Sequence, residues 1–206
     1  MDRIPRLREQ LAARELPAAL LLHARDIGYL TGFTGSTAAL IVTPAHAVFV
    51  TDSRYVEQAR EECPAVEIVA TETGRSYEEK IGQVVRSLGL EAIAVESEYL
   101  TLQRHEKLQA ELVGIALLPV AGLVAELRQI KDPHEIAAIR RACELTDRVF
   151  EQLLTWVKPG VRERDLAIEI EYAMKRQGAE REGFPIIVAS GPRSALPHGR
   201  ASERQI

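Results

Sequence analysis

The 206-residue chain carries 46% hydrophobic and 27% charged residues, enough apolar material for a packed core. Those proportions exclude a disordered chain, a collagen-like repeat and a disulfide-dense scaffold, since Cys63 and Cys143 are the only cysteines. A net charge of −4 offers no long-range attraction to nucleic acid or anionic lipid, and no apolar run approaches the ~20 residues of a membrane span. Two isolated thiols and a start without an apolar signal region, Met1-Asp2-Arg3-Ile4-Pro5-Arg6, imply reduced cysteines and a cytoplasmic setting.

In chain order, residues 3–14 place Ile4, Leu7 and Leu11 on one helical face, and residues 18–22 then read as a buried strand. Further strands are expected at 38–43, 47–50, 66–69, 92–95 and 115–119, with helices at 54–62, 77–88 and 101–110. Only Pro44-Ala45-His46 separates the second and third strands, which requires a hairpin, whereas the later crossovers are long enough for parallel pairing. The expectation is an α/β domain over residues 1–121 with a mixed sheet, compatible with a ribonuclease-H-like arrangement.

The charge balance also shifts near residue 120: 12 basic and 17 acidic residues precede Ala121, and 14 and 13 follow. From residue 122 the pattern changes to long helices. Asp132-Pro133-His134-Glu135 supplies an N-cap, a proline at the first helical position and a capping-box glutamate. An apolar stripe from Ile136 through Trp156 and Val157 follows until Lys158-Pro159-Gly160 ends it. A second helix over 162–177 buries Leu166, Ile170, Ala173 and Met174. A strand at 186–189 comes next, for which no second strand is expected in residues 122–206, so it should be poorly paired or borrow a partner.

No nucleophile elbow or Cys–His pairing is present, and Ala189-Ser190-Gly191-Pro192-Arg193-Ser194 lacks the glycine spacing and lysine of a phosphate loop. His23, His46, His105 and His134 are scattered without a metal-ligand spacing and read as surface or helix-end residues. Asp52 and Glu96 both follow strands, where two-metal nucleases collect carboxylates. Two acids in an acidic half do not make that site, and Asp52 reads more simply as a cap for the helix near Arg54. His198 differs, because Pro197 and Gly199 hold it in a tight turn from which a side chain can project into a cleft.

Three blocks resemble the Xaa-Pro peptidases (prolidase, aminopeptidase P) of the creatinase-like, pita-bread metallopeptidase family. They are Tyr29-Leu30-Thr31-Gly32-Phe33-Thr34-Gly35-Ser36 with Phe49-Val50-Thr51-Asp52-Ser53-Arg54-Tyr55; then Leu127-Arg128-Gln129-Ile130-Lys131-Asp132-Pro133-His134-Glu135-Ile136; then Phe184-Pro185-Ile186-Ile187-Val188-Ala189-Ser190-Gly191 with Leu196-Pro197-His198-Gly199. The resemblance implies a creatinase-like N-terminal domain at 1–121 and an incomplete α+β pita-bread catalytic domain at 122–206. It further implies a homodimer, with the loop at Thr31–Ser36 reaching a neighbouring subunit's cleft. Such enzymes hold two divalent ions (manganese, cobalt or zinc) through two Asp, one His and two Glu, and hydrolyse the peptide bond before proline in proline-containing peptides. By the resemblance, His198 contacts substrate and steadies the tetrahedral intermediate, and Phe184 lines the pocket. All five metal ligands would lie beyond Ile206, so the chain is expected to bind no metal and to be inactive by itself, as the N-terminal portion of such an enzyme. The alternative is a non-catalytic interaction or dimerisation module of the same fold.

Overall fold

The structure, a computed structural model, describes residues 3–72 and 74–206. They form two compact units that divide between Ile130 and Lys131.

The first unit runs α1 (Arg3–Ala13), β1 (Ala19–Leu21), α2 (Ala24–Thr31), β2 (Ala39–Val42), β3 (Ala47–Thr51), α3 (Val56–Glu62), β4 (Glu67–Ala70), α4 (Tyr77–Ser87), β5 (Ala92–Glu96), α5 (Leu102–Glu111), β6 (Ala116–Val120) and α6 (Ala125–Gln129). The six strands make one mixed sheet in the order β4-β3-β2-β1-β5-β6. The β2–β3 hairpin pairs Ile41 with Val48, β1 joins β2 antiparallel with Leu20 opposite Ile41, and β1 joins β5 parallel with Leu20 opposite Val95. The outer pairs, β3–β4 and β5–β6, are parallel, as their helical crossovers require.

Alternation along the strands assigns two cores. Ala19, Leu21, Leu40, Val42 and Phe49 face one side, where Ile4, Leu7 and Leu11 of α1 and Ile27 and Leu30 of α2 cover them. Leu20, Ala39, Ile41, Val48 and Val50 face the other, against Ile81 and Val85 of α4 and Leu108 of α5. Covered on both faces, β1 and β2 are apolar at every position, Ala-Leu-Leu and Ala-Leu-Ile-Val. Phe49 is fully buried, with its ring edge-on to Phe33 at 4.8 Å between centroids.

Two helices lie where the sequence pattern gave no warning. α2 is short, and it ends at Gly32, which adopts φ 87° and donates its amide to the Gly28 carbonyl. α6 belongs to the first unit: Leu123 and Val124 are buried in its core, Tyr29 Oη donates to the Leu127 carbonyl at 3.1 Å, and Arg128 pairs with Asp26 at 2.8 Å. These contacts carry the first unit nine residues past the division expected after residue 121.

The second unit contains α7 (Pro133–Leu153), α8 (Glu163–Arg176) and a 3-10 turn (Gly191–Ala195). α7 starts as its capping box dictates: Asp132 accepts from the amides of His134 and Glu135, and the Glu135 carboxylate accepts from the Asp132 amide. Val149, Ile170 and Ala173 form a small core against which Leu153, Trp156, Ile186 and Val188 pack. Ile136, Ile139, Phe150 and Leu154 remain exposed along α7.

The strand expected at 186–189 does not form. The segment is extended, and Ile186 and Val188 point inward while Ile187 points out, but it has no ladder partner among the described residues. Period-two alternation reports which face is buried; a strand also needs a neighbouring backbone to accept its hydrogen bonds.

Candidate functional site

In the second unit, one buried acid organises the region that carries His198. Glu163 opens α8 and has no exposed surface. One of its carboxylate oxygens accepts from the Ser190 amide (2.7 Å) and hydroxyl (2.8 Å). The other accepts from the Ser202 hydroxyl (2.6 Å), the Ser202 amide (3.1 Å) and the Arg193 guanidinium (3.2 Å). These bonds, led by the Ser202 hydroxyl, hold the Glu163 carboxyl well below the ordinary range, at about 2. The position at the start of α8 adds the favourable field of a helix N-terminus.

Five donors on one carboxylate clamp both ends of residues 190–202. The following chain is fixed as well: the Glu163 amide donates to the Arg204 carbonyl, the Ile206 amide to the Val161 carbonyl, and Arg162 bridges antiparallel to Gln205. Inside the clamped stretch His198 is exposed, and Gly199 beside it is buried. A β-carbon on Gly199 would stand 3.2 Å from Leu196 Cβ and 3.5 Å from Ala189 Cβ, so a larger residue would need the neighbouring chain to give by a few tenths of an ångström. Phe184 is 69% exposed at the start of the extended segment. The structure thus sets His198 in a pinned turn and Phe184 on an open surface; Glu163, which does the pinning, is one of two acids in the first turn of α8, and no local sequence signal separates it from Asp165.

One sequence expectation changes here. Asp52 does not cap α3: the helix begins at Val56, and Asp52 instead accepts from the amide and guanidinium of Arg54, which lowers its pKa. The nuclease pairing of Asp52 with Glu96, already rejected from the sequence, also fails on distance, because β3 and β5 are three strand spacings apart, roughly 14 Å, against the ~4 Å between ions in two-metal sites. His23 is a helix-end residue, at the N-cap of α2, where it packs flat on Tyr99 and meets Asp26.

The loop at Thr31–Ser36 is firmly built. Thr34 donates from amide and hydroxyl to Glu62, both at 2.8 Å, and Ser36 bonds Tyr55 Oη at 2.8 Å. Phe33 stands edge-on to both Phe49 and Tyr55. The Thr34 bonds, the amide first, lower the Glu62 pKa.

Among the described residues, one group of three His, Cys, Asp or Glu side chains lies at metal-ligating separation: His23, Asp26 and Glu96, in the first unit. The second unit brings no such set together among its described residues, so the residues present do not fit a two-ion hydrolytic centre. No helix among the described residues is long and apolar enough to cross a membrane.

Comparison with known proteins agrees with this architecture. Residues 3–130 match the Creatinase/Prolidase N-terminal domain, and residues 137–206 match metallopeptidase family M24. The uncharacterized peptidase YqhT of Bacillus subtilis is 35% identical over 204 residues, 99% of this chain and 57% of the relative. An Xaa-Pro dipeptidase of Pyrococcus horikoshii is 29% identical, the match covering 100% of this chain and 56% of that protein. Among solved structures, an Xaa-Pro dipeptidase from Bacillus anthracis superimposes with a TM-score of 0.95 at 35% identity over 100% of this chain and 57% of its own. The prolidase from Pyrococcus furiosus gives 0.86 at 27% identity, covering 99% and 62%. The chain therefore spans little more than half the length of these relatives. With an ordered pair of matches that accounts for nearly all of its residues, the chain belongs to the creatinase and prolidase family, whose N-terminal domain it carries together with a segment of the M24 metallopeptidase domain.

Proposed function

We propose that this chain is the N-terminal portion of a metal-dependent Xaa-Pro peptidase that hydrolyses the bond before proline. The reading rests chiefly on the order and extent of the two family matches, joined to relatives described as Xaa-Pro dipeptidases. In it, His198 contacts the substrate and steadies the tetrahedral intermediate, and Phe184 contributes apolar surface to the proline pocket. An imidazole N–H held in a fixed turn supplies a directed hydrogen bond to developing oxyanion charge. The Glu163 clamp supports this role, because a donor contributes only when its position is set before the reaction. The two cysteines are both unpaired, which supports a reducing, cytoplasmic setting. A homodimer is part of the same reading, checked by light scattering of the native protein.

The test is made on the protein isolated from its native source, with its intact mass measured and a divalent metal supplied. Hydrolysis of Xaa-Pro dipeptides or longer Xaa-Pro peptides is expected. His198→Ala should lower kcat by about 100-fold or more, and Phe184→Ala should act mainly on KM. Failure to cleave any Xaa-Pro bond in the presence of manganese, cobalt or zinc would refute the assignment and turn attention to a binding role.

A further inference from the structure

The first unit holds a second polar constellation that the peptidase reading does not use. β1 and β5 are parallel neighbours, so the residues that follow them emerge together at one end of the sheet. His23 and Asp26 come from the start of α2, and Glu96 is the last residue of β5. Their donor atoms all lie within 4.8 Å of one another. Asp26 Oδ2 stands 3.1 Å from His23 Nδ1.

Glu96 is 95% buried by its 5% exposure, and its two oxygens are treated very differently. Oε2 accepts from the amides of Leu22 and His23. Oε1 is buried with no hydrogen-bond partner. A buried carboxylate oxygen without a partner is uncommon and calls for an occupant. The surroundings favour a cation there: Asp26 is paired with Arg128 through Oδ1, and no ion pair reaches Glu96 among the described residues. His23 is locked against the ring of Tyr99, the two planes stacked 3° from parallel, while its side chain is 21% exposed and leaves a way in.

We propose that His23, Asp26 and Glu96 form a Zn²⁺ site, separate from any peptidase centre, that ties the start of α2 to the end of β5. One imidazole nitrogen and two carboxylate oxygens suit zinc, with water as a fourth ligand, whereas magnesium and calcium favour all-oxygen shells of six or more. His23 binds through Nδ1, its proton then residing on Nε2. The cation replaces the His23–Asp26 hydrogen bond and gives Glu96 Oε1 its missing partner. Arg128 stays on the other Asp26 oxygen and fixes the orientation of that carboxylate, as outer partners of metal ligands commonly do.

The experiment uses the untagged 206-residue chain, stripped of metal, with zinc chloride titrated against a chromogenic chelator and the retained zinc counted after desalting. One zinc per chain is expected, with slowed amide exchange at Leu22 and His23. His23→Ala and Glu96→Gln should each weaken binding by more than about tenfold. Exchange protection in β1 and β5 confirms that both variants are folded, and Glu96→Gln keeps an acceptor for the two amides. Failure to retain zinc at micromolar free metal would overturn the proposal, as would retention undiminished in both variants. Neither result bears on whether the native protein cleaves Xaa-Pro peptides.

Discussion

Glu96 serves the first unit in two separable ways, and two substitutions pull them apart. Glu96→Ala strands the amides of Leu22 and His23, which now donate at 2.6 and 2.9 Å. At about 1–3 kcal/mol for each amide left unpaired, the gross cost is about 2–6 kcal/mol. Removing a carboxylate that burial, above all, pushes to a raised pKa works in the opposite direction, so the net loss should be about 2–4 kcal/mol. Native-state amide exchange at Ala19–Leu21 and Ala92–Val95 reads this unit separately from α7 and α8. In chelator-treated buffer at neutral pH those amides should exchange about 30- to 1000-fold faster. Glu96→Gln retains a carbonyl oxygen able to accept from both amides and carries no buried charge. It should lie within about 1 kcal/mol of wild type, about fivefold in exchange. The pH dependence follows from the raised pKa: the wild-type contribution is whole below the ordinary carboxylate value and is lost as pH rises through the elevated one, and the Gln variant lacks that slope. Equal destabilisation by Gln and Ala, or an Ala variant within about threefold of wild type, would refute the reasoning.

The Glu163 carboxyl, lowered from 4.5 to about 2, stabilises the clamped stretch fully above the first value and progressively less toward the second. The protection of the Ser190 and Ser202 amides, taken relative to the intrinsic exchange rate at each pH, should therefore fall as pH falls across that window in wild type, and in Glu163→Gln should be lower at neutral pH and nearly flat. Asp132→Ala removes two capping bonds and should cost about 1 kcal/mol, seen as faster exchange confined to the first turn of α7. Phe49→Ala empties the centre of one core and should cost about 3–5 kcal/mol in urea unfolding of the first unit. Gly35→Ala places a β-carbon 2.4 Å from the Phe33 ring and 2.9 Å from Tyr55. It should cost about 1–3 kcal/mol and shift both residues' aromatic NMR signals.

Much of this fold is legible in the chain because its strands and long helices bury regular faces. All six strands of the sheet, the β2–β3 hairpin and the Asp132 capping box follow from local pattern. What escaped is nonlocal. α2 is eight residues with a glycine inside it and is held by tertiary packing of Ile27 and Leu30, so its own periodicity is weak. The site residues divide in the same way. His198 stands out through its flanking proline and glycine, whereas Glu163 and Glu96 acquire their roles from serines 27 and 39 positions away and from amides 74 and 73 positions away. No short window contains both halves of such a contact.

The position of β1 in the sheet bears on how the chain is made. It leaves the ribosome first among the strands, yet it lies in the interior of the sheet and must receive β5 on its open side. About 70 residues separate Leu21 from Ala92. At about 5–20 residues per second, the β1 edge waits for roughly 4–14 s after the strand itself is synthesised. For the last part of that interval, after β4 has been made and before β5 follows, β1 is the unpaired, wholly apolar Ala-Leu-Leu edge of a four-stranded sheet. Slowing translation between β4 and β5 should therefore raise aggregation and chaperone capture, while a pause placed after β6 should leave the yield unchanged.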